Sequence, residues 1–480
     1  MKKFINIIKT KWLVKTTTTV LLIATLIVAY MALNMWIDTL NINDIDITKE
    51  KLYTLSDTSK EQVKNVEDDV TIYFFGFTED STQYDLAKQY ENVNSKIKCE
   101  IVTDLTTRPD LVEYYGIEEG NTAVVVQAKD RNKILTTDEF YSYNYTTGEE
   151  KDLTEQKLTN EIIGTTIAEI PEIYFLTGHK EIYSYMSVFT AYLENEVNNI
   201  NTLDLLVKGA VPENCDTLII AAPSSDFSEY EAGLIKDYIN KGGKILWFAE
   251  PLLNGESFPN MQSVLDMFGT SIGNGVVVEQ DVNKMLIGSP YMILPDVAYT
   301  DITENIGTDG GVCFIDSGKL NFIADEQLES LGLDIEPVLT TSEESFFRTN
   351  FNTNSISATS QDEVGSSTVG AIVNKTINEN TKATLVIYAN GIFATEYPIQ
   401  ITDSQYLYPI ERNNNKDLAL NSVAYLNERD DAITIRKTTS TVTISPTQME
   451  DLIVKIIIFV IPIIIIILGI VVWQVRRRKK

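Results

Sequence analysis

The chain has 480 residues, 44% of them hydrophobic, and its 39 Lys and Arg against 68 Asp and Glu give a net charge of −29. Eleven positive charges lie outside residues 38–451, so this segment carries 28 positive and 68 negative charges, a net of −40. This disfavours a nucleic-acid-binding protein, since phosphate contacts need a basic surface. With one His, three Cys and no CxxC motif, we expect neither a metal nor a cofactor.

Both ends of the chain contain an apolar segment long enough to cross a hydrocarbon core of about 30 Å. Residues 16–37 carry no charge and follow five Lys, whereas residues 452–475 carry only Lys455 and precede the basic residues 476–480. Because basic flanks stay in the cytoplasm, the pattern predicts a two-pass cell-membrane protein with cytoplasmic residues 1–15 and 476–480. The alternatives are a cleaved signal peptide for the first segment and a buried core helix for the second.

The first extracytoplasmic part, residues 38–170, alternates short strands and helices. A capping box at residues 58–61 predicts a helix start, and an apolar stripe from Leu158 to Ile170 predicts a helix that Pro171 ends. Between them we expect strands at 70–75, 96–102, 122–127 and from Lys133, with helices at 82–95 and 108–115. The order β-α-β-α-β-β is typical of a thioredoxin-like α/β unit, but the missing CxxC motif excludes its redox chemistry.

The second extracytoplasmic part, residues 171–435, contains continuous apolar strands between helical segments. This alternation is typical of a parallel sheet covered on both faces. An irregular insertion occupies about 260–375, and a linker at 436–451 leads to the second span. The predicted strands are 172–177, 204–207, 215–223, 244–249 and 384–388, and the predicted helices are 184–198, 227–240 and 417–426.

Loops at the carboxyl ends of parallel strands are where such sheets bind ligands. Here these are residues 177–181, 222–226 and 250–254. The candidate ligand-binding or partner-binding residues are Thr177, Gly178, His179, Glu181, Pro223 and Glu250. His179 has two interpretations: a ligand contact, or a structural residue whose ring holds the turn with Glu181 as its partner.

Several motifs together resemble the Gld-type gliding-motility and ABC-transporter auxiliary family. They are DIT at 46–48 with YTLS at 53–56, FLTGHKE at 175–181, VPENCDTLIIAAP at 211–223, the segment from Glu231 to GGK at 242–244, and NSVAYL at 421–426. The resemblance implies a flavodoxin-like outer domain related to class I glutamine amidotransferases. It also implies a membrane-anchored, non-ATPase partner of an ABC permease and a cytoplasmic ATPase.

The residues needed for amidotransferase chemistry are missing, so we expect no catalytic residues. A Cys nucleophile at a strand-to-helix elbow needs a His base, but the elbow position holds Ala249 and Glu250. We interpret Cys99, Cys215 and Cys313 as buried apolar residues, with one disulfide left open. The residues around Gly318 and Lys319 lack P-loop spacing, which excludes an ATPase.

These observations favour an auxiliary ABC-transporter subunit whose outer domain binds substrate or partners, or transmits conformational change. An extracellular polysaccharide or protein is a further candidate partner. Two alternatives stay open: a stand-alone envelope sensor or polysaccharide-binding protein, and a divergent hydrolase that uses an acidic pair.

Overall fold

The computed structural model describes residues 54–118, 120–144, 149–253, 257–304, 306, 311–350, 356–402 and 405–429, together with Val28. Apart from Val28, the predicted spans at 16–37 and 452–475 lie outside these residues, as does the predicted linker at 436–451. Within the described residues, no helix combines the length and apolar character that a membrane crossing requires. The chain divides into two compact units, Met1–Ser56 and Asp57–Lys480, and the elements below belong to the second.

The first part of Asp57–Lys480 is a small domain, called the α/β unit below. Its elements are α1 (Asp57–Lys64), β1 (Val70–Phe75), α2 (Thr82–Val93), β2 (Ile97–Val102), α3 (Pro109–Tyr115), β3 (Ala123–Ala128), β4 (Arg131–Thr136), β5 (Tyr141–Asn144), β6 (Glu149–Asp152) and α4 (Thr154–Thr166). The strand order is β2-β1-β3-β4, with β1 parallel to β2 and antiparallel to β3. The predicted succession β-α-β-α-β-β is confirmed, and α4 ends at Thr166, before Pro171.

The rest of Asp57–Lys480 is the main-sheet domain, and it contains the remaining elements. They are β7 (Glu172–Thr177), α5 (Ser187–Asn195), β8 (Asn199–Asp204), α6 (Leu205–Lys208), β9 (Thr217–Ala221), α7 (Glu229–Asn240), β10 (Lys244–Phe248), α8 (Pro259–Leu265), β11 (Thr270–Ile272), β12 (Val276–Val278), β13 (Met292–Ile293), β14 (Asp296–Val297), β15 (Phe314–Ile315), β16 (Leu320–Phe322), α9 (Asp325–Leu331), β17 (Leu333–Thr340), β18 (Phe346–Arg348), β19 (Glu363–Val364), β20 (Thr368–Asn378), β21 (Thr381–Tyr388), β22 (Ile399–Thr402), β23 (Gln405–Leu407) and α10 (Asn415–Leu426).

The main sheet is mixed, in the order β14-β17-β20-β21-β10-β9-β7-β8. All neighbours from β21 to β8 pair in parallel, whereas β14, β17, β20 and β21 are joined by antiparallel pairings. The predicted α/β class is confirmed, but the predicted parallel sheet is correct only from β21 to β8, because β14, β17 and β20 add antiparallel pairings. Three strands of the irregular segment 260–375, namely β14, β17 and most of β20, complete this sheet, because their antiparallel ladders satisfy backbone groups that would otherwise lie at its edge.

Helices cover both faces of the main sheet, as its apolar strands require. One core cluster joins the sheet to α5 and α10, through Phe189 and Leu418, for example. A second cluster joins the opposite face to α7 and α8, through Ile235 and Val264. Strand residues therefore alternate between the two cores, and within the described residues both faces of the sheet are packed against helices.

The strand predicted at 204–207 is wrong. The chain forms β8 up to Asp204 and then turns into the short helix α6. The Asp204 carboxylate accepts hydrogen bonds from the backbone N–H groups of Leu206 at 2.9 Å and Val207 at 3.2 Å. This is an N-cap, and it outweighs the strand propensity of the Leu-Leu-Val run.

Candidate functional site

The strand order of the main sheet reverses between β7 and β9. From β7 the chain moves outward to β8, then crosses back to β9 and continues to β10 on the other side. In open α/β sheets, the crevice at the carboxyl ends of such a switch point is the usual ligand site. Here the residues that follow β7 and β9 are two of the predicted loops, 177–181 and 222–226.

His179 fills this crevice between two carboxylates. Its Nδ1 lies 3.1 Å from Oε1 of Glu181, and its Nε2 lies 3.1 Å from Oε1 of Glu231. The side chains of His179, Glu181 and Glu231 are only 7%, 3% and 4% exposed. The ring of Phe227 packs edge-on against the imidazole at 4.8 Å. The chain's own side chains therefore occupy both ring nitrogens and close the switch point.

The electrostatics of this group favour the imidazolium. Burial acts to lower the pKa of His179, but hydrogen bonds to Glu181 and Glu231 and their charges outweigh it and raise the pKa above 6.5. Burial acts to raise the pKa of Glu231, but hydrogen bonds from Ser228 and His179 bring it below 4.5. When both ring nitrogens carry a proton, each can donate to the carboxylate that it faces.

Backbone contacts fix the same turn. The second carboxylate oxygen of Glu181 accepts hydrogen bonds from the N–H groups of Gly178 at 3.1 Å and His179 at 2.9 Å. The carbonyl of His179 accepts from Ser224 at 3.0 Å and Ser225 at 3.2 Å. Gly178 has a φ of +122°, a conformation available to glycine alone. The loop after β7 is thereby bound to the loop after β9.

Glu231 is the residue of this group that the sequence-based site missed. It belongs to a capping box at the start of α7, where its carboxylate accepts from the N–H of Ser228 at 2.9 Å and from the hydroxyl at 2.6 Å. The Ser-x-x-Glu pattern at 228–231 is a recognisable sequence signal for a cap. Its second oxygen turns toward His179, and this contact depends on where α7 packs.

Pro223 and Glu250 lie apart from the imidazole, in a small pocket that Trp247, Phe258 and Met261 also line. The volume of this pocket is about 20 Å³, which is room for one water molecule. Thr177 ends β7 and pairs in register with Asp204. The structure therefore brings Gly178, His179 and Glu181 together at the switch point, and Pro223 and Glu250 together in a second place.

The Glu250 carboxyl has a pKa close to neutral pH. Burial raises its pKa to about 7, and the negative charge of Asp316 adds to this effect. A Cβ placed on Gly391 would collide with Oε1 of Glu250, so the carboxyl packs against bare backbone. Such a group can exchange a proton near pH 7, but the small pocket leaves no room for a substrate beside it.

The three cysteines are free and buried, as the sequence indicates. Burial raises the pKa of Cys99, Cys215 and Cys313 to about 12, and thiols in this state are poor nucleophiles. Across the part of the chain that the structure describes, no group of three or more His, Cys, Asp or Glu side chains is placed to hold a metal ion.

Comparisons with known proteins give two family matches. Residues 170–287 match ABC_transp_aux, described as an ABC-type uncharacterized transport system, and residues 49–146 match a Domain of unknown function (DUF7088). The first match supports an auxiliary role in an ABC-type transport system. The search of curated proteins gives no match. Among solved structures, the mmIFT52 N-terminal domain is similar over 53% of this chain and 97% of that chain, with 16% identity and a TM-score of 0.37. This likeness is too low to carry an argument.

Proposed function

We propose that the chain is a non-ATPase, membrane-anchored auxiliary subunit of an ABC transporter, working beside a separate permease and a cytoplasmic ATPase. The match of residues 170–287 to the auxiliary transport family carries this proposal. The motifs at 175–181 and 211–223, which both fall in that region, support the finer placement in the Gld-type branch.

We further propose that the main-sheet domain is a non-catalytic relative of the flavodoxin-like amidotransferase fold. The strand order with its switch point supports the fold assignment. Three observations support the absence of catalysis: both nitrogens of His179 face carboxylates, β10 leads into Ala249 and Glu250, and the Cys215 thiol is buried. The order β2-β1-β3-β4 likewise supports a thioredoxin-like assignment for the α/β unit.

Membrane anchoring through residues 16–37 and 452–475 is part of the same proposal and rests on their apolar sequences and basic flanks. Impermeant maleimide labelling of intact cells tests the topology. Glu379→Cys introduces a thiol at an exposed residue in the turn between β20 and β21, and it should be labelled from outside. Lys480→Cys should stay unlabelled until the cells are permeabilised. The native chain is the control, because its three thiols are buried. Labelling of both variants in intact cells would contradict the topology.

Co-purification tests the subunit assignment. The full chain, tagged and extracted from its native membrane in mild detergent, should retain a permease and an ATPase, identified by mass spectrometry. The matched control replaces residues 452–475 with an unrelated span of equal length. This variant should remain in the membrane but lose partners that pack against the native span. Recovery of the native chain with neither protein would contradict the proposal and favour the envelope-sensor alternative.

A further inference from the structure

A second open cleft lies away from the predicted site, at the amino ends of β7 and β8. It is a cleft of about 840 Å³, well within the size range of small-molecule sites. One wall comes from β4 and α4, and the other comes from Glu172 at the start of β7 and from residues 197–201 around the start of β8. A molecule bound here would contact both the α/β unit and the main-sheet domain.

Glu161 on α4 lines this cleft and is 8% exposed. Among the residues that the structure describes, none donates a hydrogen bond to its carboxylate, and no cation forms an ion pair with it. Lys133 and Lys157 reach it only through longer-range attraction. The Lys157 ammonium donates instead to the Asn195 side-chain oxygen at 2.5 Å. Burial raises the pKa of Glu161, and the two lysines offset this only in part.

Two neighbouring charged groups in the cleft, those of Glu172 and Arg131, have partners within the protein. The Glu172 carboxylate accepts hydrogen bonds from the amides of Asn199 at 2.8 Å and Asn201 at 2.7 Å. The Arg131 guanidinium donates to the carbonyls of Ile167 and Ala168. Glu161 therefore differs from both of them. Partial desolvation of a carboxylate that the chain does not pair is unfavourable, and a ligand that supplies donors and positive charge relieves that penalty.

We propose that the cleft binds a small ligand through a primary ammonium group that pairs with Glu161. An ammonium offers three N–H donors and one positive charge, which suits a carboxylate that receives no hydrogen bond from a described residue. Asp130 and Glu194 at the same cleft add negative potential, and the volume accommodates the rest of the molecule. The inference rests on the cleft alone and does not depend on the transporter assignment.

Calorimetric titration of the purified full chain in detergent tests this site, with putrescine as the probe. The matched ligand control is 1,4-butanediol, which keeps the chain length and replaces both ammonium groups with hydroxyls. Putrescine should bind, and butanediol should bind at least about tenfold more weakly. Glu161→Gln should weaken putrescine binding by at least about tenfold. Glu326→Gln, which removes an exposed carboxylate on α9, should leave the affinity unchanged.

Lys133→Gln should change the affinity for putrescine in the opposite direction to Glu161→Gln. Lys133 is exposed, lines the cleft and competes electrostatically for Glu161, so its removal should tighten putrescine binding a few-fold without disturbing the fold. Equal binding of butanediol, no binding of putrescine at millimolar concentration, or unchanged affinity in Glu161→Gln would each overturn the proposal. If Glu161→Gln fails to fold, unchanged or weaker binding in Lys133→Gln overturns it instead.

Discussion

At the carboxyl edge of the main sheet, His179 lies between the buried carboxylates of Glu181 and Glu231. At the amino edge, Glu161 is also buried, but no described residue donates a hydrogen bond to it, and it faces a cleft of about 840 Å³. The first region has the topology of a ligand site and its own side chains fill it. The second region lies at the amino ends of the strands, which is not the usual place for a ligand, but it contains an open cleft.

This difference shows that position in a fold does not by itself make a binding site. A buried charge whose partners come from the chain contributes to stability, and losing one partner is costly. A buried charge without such partners lowers stability and leaves binding capacity for another molecule. The same kind of substitution, Glu to Gln, should therefore have opposite consequences in the two regions.

The largest expected effect is the destabilisation of the carboxyl edge by Glu231→Gln. This variant should lower the free energy of unfolding by about 4 kcal/mol, because it leaves the imidazolium with one partner and weakens the cap of α7. Urea unfolding of the full chain in detergent measures this. Glu229→Gln, an exposed change in the same helical turn, should cost less than about 1 kcal/mol. Equal losses of stability in Glu231→Gln and Glu229→Gln would contradict a stabilising ion pair between His179 and Glu231.

Glu250 should give the next largest effect, visible in the pH dependence of stability. Its folded pKa of about 7 exceeds the ordinary 4.5, so the folded state holds the proton more tightly. Its contribution to stability is complete below pH 4.5 and is lost as pH rises through 7. Glu250→Gln should therefore be more stable than the native chain by about 2 kcal/mol at about pH 8. Parallel stability curves for the two chains from about pH 4 to 8 would contradict the raised pKa.

Glu161→Gln should have a smaller effect of the opposite sign to Glu231→Gln. Removing a buried charge that no described residue partners should raise the free energy of unfolding by about 1 kcal/mol in the absence of ligand. Thermal or urea unfolding beside the control Glu326→Gln, which should be neutral, measures this. A loss of stability comparable to that of Glu231→Gln would show that Glu161 is structural, and the contrast between the two edges would disappear.

The finest test is the titration of His179 itself, which is convenient because the chain has a single His. Its pKa is raised in the folded state, so its stabilising contribution is complete below pH 6.5 and is lost as pH rises through the folded value. NMR of isotope-labelled histidine should give a pKa above 6.5, and Glu231→Gln should move that pKa downward. A pKa at or below 6.5 for His179 in the native chain would contradict its placement between the two carboxylates.

Most elements could be predicted from local pattern. The strand at 70–75 and the start of the strand at 172 match the observed β1 and β7, because buried strands read as short apolar runs between turn signals. The segment 204–207 could not be predicted this way, since its apolar run forms α6 once the Asp204 carboxylate caps it. In the candidate site, the contact between His179 and Glu181 could be predicted because the two residues are close in sequence.

The sequence by itself determined the α/β class, the acidic segment between two basic ends, the burial of the cysteines and the loops that meet at the carboxyl edge. These features follow from composition and short-range periodicity. Only the tertiary structure decided that Glu231 is the second carboxylate beside His179, and that Glu161 faces a cleft in which no described residue donates a hydrogen bond to it. Both outcomes depend on how α7 and α4 pack against strands distant in sequence, and local patterns do not encode such packing.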